Sequence, residues 1–224
     1  MTAVRDAGTG SAGERLHAGA RGLGVELEQR QHTRLMGYLD ELRRWNKAYN
    51  LVSAASLTDA VPRHLLDCLS VLPHIHGKRL LDIGTGAGLP GLILAISRPD
   101  IRVTLLDSNT KKTRFCRHVA TALGLDNVTV ETSRVENFQS ELPFSTVVSR
   151  AFGSVQELVT CSARLCDSEA RILAMKGVLA SAEVDALGAM RDNVCMLRLD
   201  VPELGAERHL VVVRVAGEGD TAVR

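Results

Sequence analysis

Residues 80–91 read Leu-Leu-Asp-Ile-Gly-Thr-Gly-Ala-Gly-Leu-Pro-Gly, and few folds accommodate such a stretch. A short apolar run ends in an acid, glycines follow at alternate positions, and an apolar helix-like segment comes after them. Glycine tolerates the backbone angles of a sharp turn and has no Cβ to hold a ligand away. A helix starting just beyond would aim its free N–H groups and the positive end of its dipole back at that turn. The pattern predicts a strand, a nucleotide-binding turn and a helix.

Two frames fit these glycines. Gly86, Gly88 and Gly91 satisfy G-x-G-x-x-G, the dinucleotide fingerprint. That fingerprint places its first glycine directly after the strand and its third inside the helix. Here Gly84 and Thr85 intervene, and Pro90 suits the first position of a helix rather than its interior. The frame Asp82-x-Gly84-x-Gly86-x-Gly88 meets the strand end better, and it resembles motif I of class I S-adenosylmethionine (SAM) methyltransferases. An acid at position 82, just before the loop, can reach the amino-acid end of such a cofactor.

The remaining chain supplies the context. From Arg79 onward strand-like and helix-like segments alternate: Arg102–Leu106 as a strand ending in Asp107, Thr110–Leu123 as a helix capped by Gly124, and Val128–Glu131 as a strand. Thr146–Ser149 leads as a strand into Arg150, Ser154–Leu165 is helical, and Arg171–Met175 is a strand ending in Lys176-Gly177. A helix at Glu183–Met190 and two closing strands, Val194–Leu199 and Leu210–Val215, complete the series. Alternation with a final strand pair predicts an α/β fold, a doubly wound and mostly parallel sheet with a late antiparallel hairpin.

Ahead of that domain, Leu27, Leu35, Leu39, Leu42 and Trp45 share a helical face, and a second helix from about Ser56 carries Val61, Leu65, Leu69 and Leu72 to Pro73. These form an N-terminal helical cap over residues 25–75, with the catalytic-type domain at 76–216. Residues 1–24, rich in Gly, Ala, Ser and Thr without apolar period, are expected to be disordered, and 217–224 to be a tail.

At 224 residues and 45% hydrophobic, the chain can bury one sizeable core plus an appendage. It has no apolar run of membrane-spanning length and no signal-peptide pattern, so a cytoplasmic protein is expected, with no membrane partner. Five cysteines without a C-x-x-C pair point to reduced thiols, with neither a disulfide framework nor a metal site. A net charge of +1 excludes a general polyanion binder, so any nucleic-acid contact must rest on local positive charge.

Several side chains fall where chemistry would need them. Asp107 lies at the end of the second strand, about twenty residues past the glycines, where an acid can accept hydrogen bonds from both ribose hydroxyls; the competing reading is a helix N-cap. Ser133-Arg134-Val135-Glu136 follows the third strand, where an adenine edge would rest. The fourth strand ends in Ser149-Arg150-Ala151-Phe152, in place of the Asn/Asp-Pro-Pro-aromatic tetrad with which many methyltransferases hold an amine, so amine methylation is disfavoured. Cytosine C5 chemistry needs a cysteine at a strand-end loop, and Cys161 falls within a helix. A purine N7, with its own exposed lone pair, needs only positioning. Lys111, Lys112, Arg114 and Arg117 make either a solvated helix face or a phosphate-tracking ridge. Arg63, His64 and Asp67 stand at helical i, i+3 and i+4 spacing in the cap, the spacing of a surface ion pair, and Trp45 reads as core, with a stacking role as the alternative.

These residues together match one family. Trp45-Asn46-Lys47-Ala48-Tyr49-Asn50-Leu51, Arg63-His64-Leu65-Leu66-Asp67, the Asp82–Gly91 stretch and Leu105-Leu106-Asp107-Ser108 stand in one order. They are followed by Ser133-Arg134-Val135-Glu136, Ser149-Arg150-Ala151, Lys176-Gly177 and Glu207-Arg208-His209. Over roughly residues 25 to 215 the chain resembles the RsmG (GidB) family of bacterial small-subunit rRNA guanine-N7 methyltransferases. The resemblance implies a seven-stranded class I methyltransferase sheet of Rossmann-like type, SAM as cofactor, and a guanine in the 530 loop of 16S rRNA as methyl acceptor. By position it implies cofactor contacts from Gly84, Leu89, Val135, Glu136 and Arg150, in addition to Asp82, Gly86, Gly88 and Asp107. Arg150 is the catalytic candidate. Arg63, His64, Lys111, Lys112, Arg114, Arg117, Lys176 and Arg208 are the RNA candidates. The expected state is a monomer without metal. Two rival readings are a SAM methyltransferase for another substrate and a non-catalytic nucleotide-binding module.

Overall fold

The structure is a computed structural model that describes residues 10–178, 183 and 188–215. Seven strands form one sheet in the order β3-β2-β1-β4-β5-β7-β6. The strands are β1 (Arg79–Ile83), β2 (Arg102–Asp107), β3 (Val128–Thr132), β4 (Phe144–Arg150), β5 (Cys166–Lys176), β6 (Val194–Arg198) and β7 (His209–Arg214). β1 pairs in parallel with both β2 and β4, whereas β7 runs antiparallel to β5 and to β6. The expected doubly wound sheet with a late hairpin is therefore present. The sheet progresses outward from β1 to β3 and then restarts at β4 on the other side of β1. That reversal opens a crevice beyond the carboxyl ends of β1 and β4.

Burial explains which runs became central strands. Leu80 to Ile83 and Phe144 to Ser149 are buried throughout, as strands covered on both faces must be. Helix α5 (Gly91–Ser97) is buried at all its positions, wedged between the sheet and the cap. Helices α6 (Thr110–Ala122) and α7 (Val155–Ser162) cover the sheet and are capped by Asn109 and by a Ser154–Glu157 capping box. Gly124, at φ +59°, takes the left-handed position after α6.

The cap departs from expectation in two places. Residues 12–22 are not disordered: α1 (Ala12–Gly22) starts with a Ser11–Glu14 capping box and buries Leu16, Gly19 and Ala20. A Cβ on Gly19 would overlap the side chain of Leu66, so this contact depends on small residues, which leave no apolar stripe in the sequence. Helix α2 (Gln29–Tyr49) follows as the first expected helix. The second is broken into α3 (Ala54–Thr58), a π-helical segment (Val61–Leu66) and α4 (Asp67–Leu69). Pro62 has no N–H to return to the preceding turn, and the wider π geometry accommodates it.

Elsewhere β5 begins at Cys166, five residues before its expected start, because it pairs with Phe144 across an irregularity in the β4 register. The helix expected at 183–190 falls largely outside the described residues; Gly188–Asn193 is a 3-10 turn. The tail at 217–224 lies outside them altogether. No helix among the described residues is long and apolar enough to cross a membrane.

Candidate functional site

The glycine turn stands at the crevice beside β1. Gly84 N–H and Thr85 N–H both donate to the Leu106 carbonyl at the end of β2, at 2.8 and 3.1 Å, which ties the turn to the neighbouring strand. Gly84, Gly86 and Gly88 have φ of +68°, +58° and +78°. A Cβ on Gly86 would meet nothing closer than the Gly84 carbonyl oxygen at 3.8 Å, so open space lies over the middle of the turn. A Cβ on Gly88 would instead press on Leu92, with Cγ at 2.6 Å. The first glycine leaves room for a ligand, and the second lets helix α5 approach.

Asp82 supports the turn from below. It is fully buried, and its Oδ2 accepts from Thr85 Oγ1 at 2.6 Å and from Gly91 N–H at 2.8 Å. Burial pushes its carboxyl up to about 6, and those two donors draw it partly back. Its Oδ1 is buried without a partner among the described residues. Asp82 thus serves first as the brace that joins the strand, the turn and α5, rather than as an open acid in the crevice.

Asp107 stands at the end of β2, beside the glycine turn. Its Oδ2 accepts from Gly86 N–H at 2.9 Å and its Oδ1 from Asn109 N–H at 2.8 Å. The N-cap role belongs to Asn109, whose side chain accepts from Lys111 N–H at 2.9 Å. An ionised carboxylate has lone pairs to spare beyond two bonds, so Asp107 can still accept from a diol. An open cradle over Gly86 with an acid beside it fits a cofactor that carries a ribose.

Phe152 borders the turn, its ring 3.8 Å from where a Gly84 Cβ would stand. It also lines a cavity of about 630 Å³ with Glu136, Gly153, Ser154, Thr160 and Cys161. Glu136 therefore shares a cavity with Phe152, the ring that borders the turn. Val135 and Leu89 are buried in the core.

Arg150, at the end of β4, turns toward the cap. Its Nη1 donates to the Arg63 carbonyl at 3.1 Å and to Asp67 Oδ2 at 3.4 Å. Arg208 Nε donates to the other oxygen, Asp67 Oδ1, at 2.7 Å. Asp67 is fully buried, so one carboxylate holds two guanidiniums and leaves one positive charge in excess. Beside them His64 is buried with neither ring nitrogen partnered. Burial, then the Arg150 charge, pull His64 down to about 4, so it is neutral at pH 7. Ala151, directly after Arg150, has φ +65°, a left-handed conformation for a residue with a Cβ, of the kind that gathers at functional sites.

The RNA candidates divide. Arg63, Lys111 and Arg114 are exposed. Lys112 Nζ lies 4.0 Å from Asp107 Oδ2. Arg117 is taken up by the sheet, donating to the Val130 carbonyl and to Thr132 Oγ1 at 2.9 and 3.0 Å, which makes it a fastening for β3. Lys176 turns inward onto the Gly153 carbonyl and Glu183, each at 2.6 Å. His64 and Arg208 belong to the Asp67 cluster. Sequence reasoning missed Tyr38, whose hydroxyl donates to the Ala87 carbonyl at 2.8 Å within the glycine turn. The signal was a tyrosine inside an apolar helical stripe, whose polar tip must find a partner.

The comparisons with known proteins agree with this geometry. The family described as "GidB: rRNA small subunit methyltransferase G" matches residues 31–211. The chain belongs to that family. It is 48% identical over 203 residues to ribosomal RNA small subunit methyltransferase G of Pseudomonas entomophila (strain L48), covering 90% of this chain and 94% of the relative. The protein of the same description from Alkalilimnicola ehrlichii is 45% identical over 196 residues, covering 88% and 89%. Among solved structures, the O-methyltransferase TomG from Streptomyces achromogenes, in complex with SAM, superposes with a TM-score of 0.58 at 15% identity, over 93% of this chain and 100% of that one. The tRNA (m1A58) methyltransferase TrmI from Aquifex aeolicus gives 0.54 at 13% identity, over 68% and 69%. At such identities these two speak for the fold alone, a class I methyltransferase sheet.

Proposed function

We infer that this protein is a SAM-dependent methyltransferase of small-subunit rRNA that modifies N7 of a guanine in the 530 loop of 16S rRNA. Membership of the rRNA small subunit methyltransferase G family supports the enzyme class, the cofactor and the RNA. The observation that carries the cofactor reading is the open cradle over Gly86 with Asp107 bonded to its N–H. The family resemblance and the sequence at the end of β4 support N7.

When bound, SAM supplies a methyl group on a positively charged sulfur. The chain's own part is to bind and orient. Gly86 and Gly84 admit the cofactor close to the backbone, Asp107 accepts from its ribose, and Glu136 and Phe152 flank its base. Asp82 keeps the turn in register with α5. A guanine N7 offers a lone pair without losing a proton, so no general base is required, and alignment supplies most of the acceleration. Arg150 is the cation at the carboxyl end of β4. Asp67 fixes its direction, and the surplus positive charge of the Asp67–Arg150–Arg208 cluster suits an anionic group of cofactor or RNA. Arg63, Lys111, Lys112 and Arg114 extend that positive surface toward RNA phosphates. The helical segments up to residue 75 act as a cap on this site, and an enzyme of this class works in the cytoplasm, where ribosomes assemble.

The test is chemical. N7-methylguanosine is cleaved by borohydride followed by aniline, so 16S rRNA treated with protein and SAM should break at one site. Comparing naked 16S rRNA with small subunits as acceptors identifies the substrate form. Labelled rRNA that resists scission would refute N7 as the acceptor atom.

A further inference from the structure

The carboxyl end of α2 and one stripe of α6 form a feature that the cofactor site does not use. Trp45 is fixed from behind by Phe115, edge-on at 5.7 Å between ring centroids, and by the His118 ring at 5.0 Å. Tyr49 stacks on it at 5.3 Å with 28° between planes. Tyr49 is 37% exposed, one of few large apolar side chains among the described residues to stand open to solvent. His118 itself is held by Glu41 at 2.8 Å, so the support under the stack is bonded into place.

Lys111 and Arg114 stand on the same stripe of α6 as Phe115 and His118, three, four and seven residues apart along the helix. Among the described residues neither side chain has an ion pair or hydrogen bond, whereas Arg117 on the adjoining face is fully engaged. The stripe also starts beside the cofactor. Asp107 bonds Asn109, the cap of this helix, and Phe115 lies about 9 Å further along its axis at 1.5 Å per residue. An aromatic surface at the end of one helix and unpaired cations on the helix packed against it through Trp45 and Phe115 are the combination that holds single-stranded nucleic acid, the ring taking a base and the cations its phosphates.

We propose that Tyr49, backed by Trp45, is a platform on which a base of the rRNA near the target guanine stacks, while Lys111 and Arg114 hold the flanking phosphates. This rests on the rRNA reading and adds where the strand runs: away from Asp107 along α6 toward the end of α2. The occupant is single-stranded RNA because the free charges are cations and the exposed ring is already oriented by a second ring behind it.

The experiment measures methyl transfer to small ribosomal subunits across a salt series, with SAM affinity determined for each variant. Tyr49→Ala should raise the KM for subunits by roughly 5- to 100-fold, the usual range when a base–aromatic stack is removed. The salt slope and the SAM affinity should stay as in wild type. Tyr49→Phe, which keeps the ring, should restore the KM. Lys111→Gln with Arg114→Gln should raise KM and also flatten the salt slope by on the order of 0.7 to 0.9 for each phosphate no longer held. A Tyr49→Ala variant with unchanged KM in an assay where wild type methylates subunits would overturn the platform and leave the rRNA reading standing. A raised KM accompanied by weakened SAM binding would also overturn it, since Tyr49 would then be structural. Wild type inactive on every form of the rRNA would bring down both.

Discussion

Gly86 and Gly88 share a motif and a backbone conformation, yet they should fail in different ways when replaced by alanine. Each has positive φ, so a Cβ costs about 1–2 kcal/mol at either position. At Gly86 nothing more is added, because the nearest atom to the new methyl is 3.8 Å away. At Gly88 the methyl meets Leu92 Cγ at 2.6 Å and Cβ at 3.2 Å, on a helix buried along its whole length that has nowhere to retreat. Overpacking of that kind adds about 1–3 kcal/mol, so Gly88→Ala should lose about 2–5 kcal/mol out of a typical total of roughly 5–15. Gly86→Ala should stay folded and lose SAM affinity by roughly 10- to 100-fold, as its methyl stands in cofactor space. Gly86→Val, branched at Cβ, should abolish binding. Urea unfolding gives the stabilities, and titration calorimetry with SAM gives the affinities. If Gly86→Ala bound SAM like wild type while both variants lost equal stability, the open space over Gly86 would not be the cofactor's.

Asp67→Asn leaves two guanidiniums without their shared counter-charge. Breaking a buried pair costs about 3–5 kcal/mol, but both arginines are about a quarter exposed, so about 2–3 kcal/mol is expected by urea unfolding; a variant as stable as wild type would remove Asp67 from that role. Asp82 and His64 should oppose each other in pH dependence. Asp82 binds its proton more tightly folded than unfolded, so it makes stability fall as pH rises from about 4 to about 6; His64 binds its proton more weakly folded, so it makes stability rise from about 4 to about 6.5. Each displacement is on the order of 3 kcal/mol. Asp82→Asn should therefore steepen the rise of stability with pH relative to wild type and His64→Gln should reverse it, and parallel profiles for all three proteins would contradict both assignments.

What the sequence made legible follows from the range of the physics involved. The turn from Asp82 to Gly91 and the acid at Asp107 are local devices, in which residue type and spacing nearly determine the backbone, and they stand where they were expected. The sheet was readable for the same reason, since buried parallel strands are continuous apolar runs. The Asp67 cluster was not readable as a unit. Asp67, Arg150 and Arg208 come from three distant segments, and i, i+4 spacing made Asp67 look like a surface partner of Arg63. Lys176 and Arg117 illustrate the converse: a basic side chain reads as available until the carbonyls around it are known. Helix α1 escaped because its contact is made by Gly19 against Leu66, and close approach by a glycine has no hydrophobic signature.

That contact bears on how the cap acts. Leu66, under α1, is followed by Asp67, so the helix that presses on one side chain positions the carboxylate that orients Arg150 and Arg208. A second link exists, in which Arg15 of α1 bridges Asp59 at 2.9 Å and Glu203 at 2.6 Å. Magnitudes decide between them. Partly exposed pairs such as Arg15's are worth about 0–1 kcal/mol each, whereas the fully buried Asp67 stands in a cluster whose disruption costs several times more. The N-terminal helices and the sheet share one apolar core around α5, and of the two ionic links Asp67 is the stronger, with Arg15 a minor tether. The π-helical turn completes the coupling, since Arg63 within it offers its carbonyl to the same Arg150 guanidinium. A guanidinium held by the N-terminal helices and carried by the sheet can keep one direction only while the two are docked, so loosening that docking should free Arg150 to turn away from Asp67.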